Sequence, residues 1–178
     1  MTRTILLDMD GVIVDFVMAA CETHGKPNPY EHGESGYDMP SKIGMTDVEF
    51  WGGDLATMWW WAELPWTADG AAILVAAKNF VSKDNIYLAT SPTLAPGSCS
   101  GKLLWVQKNL PEYQRRLIIG PCKYLMARPD HILIDDSDAN VTKFREAGGH
   151  AILVPRPWNS GTGDPIERVC DELRRVVQ

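Results

Sequence analysis

The acidic residues of this chain recur at spacings where carboxylates could share a task. Asp8 and Asp10 lie one residue apart in Ile5-Leu6-Leu7-Asp8-Met9-Asp10-Gly11-Val12, and Asp135-Asp136 follow His131-Ile132-Leu133-Ile134. Two anionic groups at one strand end repel each other unless a cation or a shared proton compensates. A hard divalent cation takes carboxylate and carbonyl oxygens, and these two acidic pairs can supply them. Thr90-Ser91, after Asn85-Ile86-Tyr87-Leu88-Ala89, offers hydroxyl and backbone N–H donors for phosphoryl oxygens. Lys123 adds a compact positive charge for a reacting anion. An aspartate can attack phosphorus and split one difficult displacement into two, while a second carboxylic acid protonates the leaving oxygen. Taken alone, Asp8-Met9-Asp10-Gly11 also reads as a pair of turn formers, because Asp and Gly are common in turns. Together these groups match phosphoryl transfer.

Elements must bring these groups together. Ile5-Leu6-Leu7 has no polar alternation, as expected of a strand in a parallel sheet covered on both faces. Apolar runs at 86–89, 117–119, 131–134 and 151–154 predict four more strands. Helical patterns lie at 12–21, 69–81, 101–110, 140–147 and 165–177, the last with proline near its first turn. This alternation predicts an α/β fold, a five-stranded mostly parallel sheet flanked by helices. Open sheets of that kind bind ligands beyond the carboxyl ends of their strands. Asp8, Asp10, Thr90, Ser91, Asp135 and Asp136 all fall there, and Lys123 follows the third strand.

The 178 residues fit a single domain, 1–178, and the interval 16–66 reads as a small helical cap inserted after strand one. Asp15 is expected to cap a helix or contact the site, and Phe16 to face the strand end or pack in the core. Residues 25–40 turn to Gly, Pro, Asn, Ser and charge, as in a functional loop, with His24 and His32 facing solvent. Thr46-Asp47-Val48-Glu49 has capping-box spacing. Trp51, Trp59, Trp60, Trp61 and Trp66 follow closely. Adjacent helical side chains diverge by about 100°, so Trp59, Trp60 and Trp61 cannot all enter one core. At least one is expected to face a cleft or an interface, where aromatic faces suit a planar base.

Hydrophobic residues make up 45% of the chain and charged residues 22%, an ordinary globular composition. A net charge of −6 argues against nucleic acid or an anionic membrane as the main partner, but leaves room for a small anionic substrate. No apolar run approaches the ~20 residues that span a bilayer. The first strand begins within a few residues of Met1, so no signal peptide is expected. Cys21, Cys99, Cys122 and Cys170 are scattered, which predicts reduced thiols, a cytoplasmic setting and no zinc site.

Asp8-Met9-Asp10-Gly11-Val12, Thr90-Ser91, Lys123 and Asp135-Asp136, in this order, resemble the four motifs of the haloacid dehalogenase (HAD) superfamily. The resemblance implies its HAD-like Rossmannoid fold, with Asp8 as nucleophile and Asp10 as general acid, then base. It also implies Mg²⁺ held by the Asp8 carboxylate, the Asp10 backbone carbonyl and the Asp135-Asp136 pair, one of that pair directly and one through water. Within the superfamily, the opening through Phe16, the Thr90-Ser91-Pro92 turn and the helix bearing Lys102 look like 5'(3')-deoxyribonucleotidases. That likeness implies that Phe16 and some of Trp59, Trp60 and Trp61 enclose a base, and that Lys102 assists the phosphate. Without it, Lys102 reads as a solvated helix residue. The 24–43 loop, the Trp-rich run and Asp136-Ser137-Asp138-Ala139-Asn140-Val141 depart from that family.

The expected function is therefore Mg²⁺-dependent hydrolysis of (deoxy)nucleoside monophosphates through an aspartyl-phosphate. A sugar phosphate or another small organophosphate is the alternative substrate. A receiver-like or non-catalytic phosphate-binding domain is a remote alternative, since strand three ends in Ile119-Gly120-Pro121 without an aspartate. Oligomeric state, a homodimer included, stays open.

Overall fold

A computed structural model describes residues 3–177. Five strands, β1 (Thr4–Leu7), β2 (Ile86–Thr90), β3 (Leu117–Ile119), β4 (His131–Asp135) and β5 (His150–Leu153), form one sheet in the order β3-β2-β1-β4-β5. All four pairings are parallel, and β1 lies at the centre, with Leu7 opposite Leu88 on one side and Ile134 on the other. Successive side chains of a strand point to opposite faces. Ile5 and Leu7 accordingly enter a large apolar cluster with Ile73, Trp105, Val169 and Leu173, while Leu6 joins a smaller one with Val141 and Phe144. Each such side chain contributes about 1.5–3 kcal/mol by leaving water. The helices supplying these partners are α5 (Gly70–Phe80), α6 (Pro96–Asn109), α7 (Asp138–Glu146) and α8 (Pro165–Val177). The expected α/β class and both-sided burial are what the structure has.

Between β1 and α5 the chain carries α1 (Phe16–His24), α2 (Met39–Lys42), α3 (Asp47–Trp51) and α4 (Met58–Ala62). It departs at Val14-Asp15 and returns alongside. The Asp15 N–H donates to the Pro65 carbonyl at 2.9 Å and the Thr67 N–H to the Ile13 carbonyl at 3.1 Å. Val17, Ala20, Cys21, Tyr30, Met39, Ile43, Phe50 and Leu55 form an apolar cluster of this segment's own. The Thr46–Glu49 capping box is present at the start of α3.

Two helix starts differ most from the sequence reading. The helix expected from Val12 begins at Phe16, because the N–H groups of Val12, Ile13 and Val14 all turn back to the Met9 carbonyl. Asp15 then caps α1 through the Met18 N–H at 3.0 Å. The helix expected from Gly101 begins at Pro96, with proline in its first turn. Gly97 and Gly101 weaken its local propensity, and their value lies in contact with α4. A Cβ on Gly101 would sit 2.3 Å from the Met58 carbonyl oxygen and 2.4 Å from the Trp61 Cβ. The two helix backbones meet there. The four cysteines are unpaired, and no helix among the described residues is long and apolar enough to cross a membrane.

Candidate active site at the carboxyl edge of the sheet

Beyond β1, the Asp8 N–H still donates to the Ile134 carbonyl at 2.9 Å, so Asp8 is held by the sheet itself. Its Oδ1 accepts from the Met9 N–H at 2.8 Å and pairs with Lys123 Nζ at 2.7 Å. Lys123 stands in a short 3-10 turn, Lys123–Met126, past β3 and also reaches Asp135 Oδ2 at 2.7 Å. Asp135 Oδ1 accepts from the Ser137 N–H at 2.8 Å and from Asn140 Nδ2 at 3.2 Å. Asp8, Lys123 and Asp135 are all buried. Burial pushes Asp8 well above the usual carboxylate range, with Lys123 pulling back and the neighbouring aspartates adding to the rise. Burial also opposes the charge of Lys123, but Asp8 and Asp135 outweigh it and hold the ammonium above the usual lysine range.

Asp136 follows directly. Its Oδ2 accepts from the Tyr37 hydroxyl at 3.0 Å and from Trp158 Nε1 at 2.6 Å, whereas its buried Oδ1 has no partner. Burial, then the charge of Asp135, pushes Asp136 up to about 7, against the pull of those two hydrogen bonds. One oxygen each from Asp8, Asp135 and Asp136 fall within 4.8 Å of one another. Three crowded carboxylates and an orphaned buried oxygen are the conditions a hard cation relieves, and an all-oxygen set suits Mg²⁺. Gly11, at φ +75, passes so close that a Cβ would lie 2.3 Å from Asp136 Oδ2.

The Asp10 carboxylate stands apart from that group. Its Oδ2 is held by Lys102 Nζ and, at 3.5 Å, by the Thr90 hydroxyl, while its Oδ1 is buried and unpartnered. Lys102 also donates to Thr90 Oγ1 at 2.8 Å and to the Ser91 carbonyl at 2.7 Å, and lies 4.9 Å from the Trp61 ring centre. The solvated position that Lys102 suggests when taken alone is not what forms, because α4 closes over α6 and buries it. Its three protons have three acceptors, so it ties Asp10, Thr90 and Ser91 together.

The tryptophans separate as their spacing requires. Trp61 is buried, stacks on Phe16 at 5.5 Å and donates Nε1 to the Leu55 carbonyl. Trp60 meets Phe16 edge-on and donates to the Thr23 hydroxyl at 2.8 Å, and Trp59 is 66% exposed. Above Asp10 and Asp136 lies a cavity of about 60 Å³ whose walls are Phe16, Tyr30, Tyr37, Met39 and Trp158. Of the four aromatic residues singled out in the sequence, Phe16 alone lines it.

Sequence reasoning missed Tyr30, Tyr37, Arg156, Trp158 and Asn159. Arg156 Nε donates to the Gly11 carbonyl at 2.6 Å, and its guanidinium grips Asp69 at 2.6 and 2.8 Å. Asn159 Nδ2 donates to the Asp136 carbonyl at 2.7 Å. A usable signal was present for this loop: Arg156-Pro157-Trp158-Asn159 follows the fifth apolar run, the same strand-end position that marked the other site residues. Tyr37 carried no such mark.

No protein-family model and no curated protein matches the chain. Among solved structures, a HAD family enzyme from Bacteroides thetaiotaomicron, determined as a magnesium complex, is similar at 11% identity with a TM-score of 0.44. The similarity covers 90% of this chain and 96% of that chain. The five-stranded parallel α/β fold and the acidic cluster able to hold a divalent cation rest on this chain's own geometry.

Proposed function

We propose that this protein is a Mg²⁺-dependent phosphomonoesterase of the HAD superfamily that works through an aspartyl-phosphate on Asp8. One observation carries the reading: Asp8 and Asp10, one residue apart at the central strand end, have separate partners. Asp8 lies with Lys123 and the acid pair, and Asp10 with Lys102 and Thr90. That division suits a nucleophile beside a proton donor.

Asp8 attacks phosphorus with a carboxylate oxygen, forming a P–O bond as the ester P–O bond breaks. Asp10 gives its proton to the departing alcohol oxygen. It then takes a proton from a water that attacks the phosphorus, which releases phosphate and restores the Asp8 carboxylate. Lys123 keeps Asp8 oriented, Ser91 presents donors to the phosphoryl oxygens, and Thr90 links Lys102 to Asp10. Asp8, Asp135, Asp136 and the Asp10 backbone carbonyl would hold Mg²⁺, which when bound offsets the negative charge gathered there.

For the substrate we propose a nucleoside monophosphate, preferably a deoxyribonucleotide, with Phe16, Tyr30 and Trp158 against the base and the 16–66 segment acting as a cap. The cavity favours a second reading, a smaller organophosphate such as a sugar phosphate. A space of about 60 Å³ holds about two waters.

Phosphatase activity of the wild type and Asp8→Asn, with and without Mg²⁺, tests the chemistry. Turnover by the wild type that needs Mg²⁺ and falls at least ~10³-fold in Asp8→Asn supports it. Near-wild-type turnover in that variant rules out the aspartyl-phosphate. A panel of dUMP, dTMP and sugar phosphates decides the substrate: the nucleotide reading fails if the sugar phosphates are hydrolysed faster.

A further inference from the structure

Asp136 is contacted from two directions. Trp158 lies beyond β5 in the body of the sheet domain, whereas Tyr37 belongs to the inserted segment, yet both donate to the same oxygen, Oδ2. The other oxygen is buried and unpartnered. Tyr30, from the same inserted stretch, packs on Trp158 with ring centres 5.1 Å apart. Tyr37 as a whole residue is 56% exposed, and its hydroxyl is the group that reaches Asp136.

A carboxylate that binds a cation through one oxygen is oriented by donors on the other, and such supporting partners typically carry about 10–100-fold in metal affinity or activity. We infer that Tyr37 is a positioning residue for Asp136: its hydroxyl, arriving with the inserted segment, fixes Oδ2 so that Oδ1 is presented to the cation. This rests on the Mg²⁺ reading above and extends it, since cation binding and seating of the segment then favour each other. By linkage the coupling works both ways: whatever Tyr37 adds to cation affinity, the cation returns as stabilisation of the seated segment. Trp158 alone would hold Asp136 regardless of where the segment lies.

Titration calorimetry with Mg²⁺ on wild type and Tyr37→Phe is the direct test, because the variant loses only the hydroxyl. A drop in Mg²⁺ affinity of about 10-fold or more is expected, with Trp158→Phe weakening binding comparably. A second readout is cleavage by a glutamate-specific protease at the exposed Glu31 and Glu34. Mg²⁺ should slow that cleavage in the wild type and do so far less in Tyr37→Phe. Equal affinity in wild type and Tyr37→Phe, or cleavage indifferent to Mg²⁺, overturns the positioning role while leaving the phosphatase reading intact. If the wild type itself does not bind Mg²⁺, both fall together.

Discussion

The floor of the site and the segment above it are built on opposite principles. On the floor, Asp8, Asp135, Asp136, Lys102 and Lys123 are all buried, and two lysines face the carboxylates. Above it, Phe16 stacks between Trp61 and Trp51, and Phe50 meets Phe16 and Trp51 edge-on. Removing one partner of a buried ion pair leaves a charge stranded in a poor solvent. Removing one ring leaves a cavity. Electrostatics therefore makes the floor intolerant of change in charge, whereas the segment resists change in volume.

The comparison can be broken most strongly at Asp8. Asp8→Asn keeps shape and should still lower turnover by at least ~10³-fold, measured in a phosphate-release assay. Next comes Lys123→Met, which should lower unfolding free energy by about 3–5 kcal/mol in a denaturant titration. Mg²⁺ should recover part of that loss, since a cation can replace the missing charge between Asp8 and Asp135. In the aromatic segment, Trp61→Ala should cost about 3–5 kcal/mol by cavity formation. Exposed Trp59→Ala should change stability by less than about 0.5 kcal/mol in the same titration. Thr46→Ala removes the α3 cap and should cost about 1 kcal/mol.

The smallest effect concerns pH. Burial pushes the Cys21 thiol from its ordinary value of 9.0 to about 11, so the folded state binds this proton more tightly than the unfolded state does. Its contribution is complete below pH 9 and is lost as pH rises from about 9 towards 11. The melting temperature should thus fall less steeply over that interval in Cys21→Ala than in wild type. The same burial should make Cys21 slow to alkylate beside the exposed Cys122.

Much of the floor was legible in the chain. Apolar runs without alternation mark buried parallel strands, and a polar residue directly after such a run must emerge at the ligand-binding edge. That rule located Asp8, Asp10, Thr90, Ser91, Asp135 and Asp136 without a coordinate, and the structure places them along that edge. The segment above was less legible, because its residues are not anchored to a strand end. Nothing in the spacing of Tyr30 or Tyr37 distinguishes a loop tyrosine from one whose hydroxyl reaches across to Asp136. The tryptophan triplet was read correctly as divergent, but which ring turned inward depended on where α4 met α6.

The sequence by itself determined the sheet, its chain order of strands and the inventory of acids, lysines and hydroxyls at its carboxyl edge, because these follow from local hydrophobic pattern and strand periodicity. Tertiary structure decided the pairings: Lys123 with Asp8 and Asp135, Lys102 with Asp10 and Thr90, and Tyr37 with Trp158 on one oxygen of Asp136. It also decided which aromatic rings line the cavity. These depend on contacts between residues distant in the chain, whose geometry no local pattern encodes.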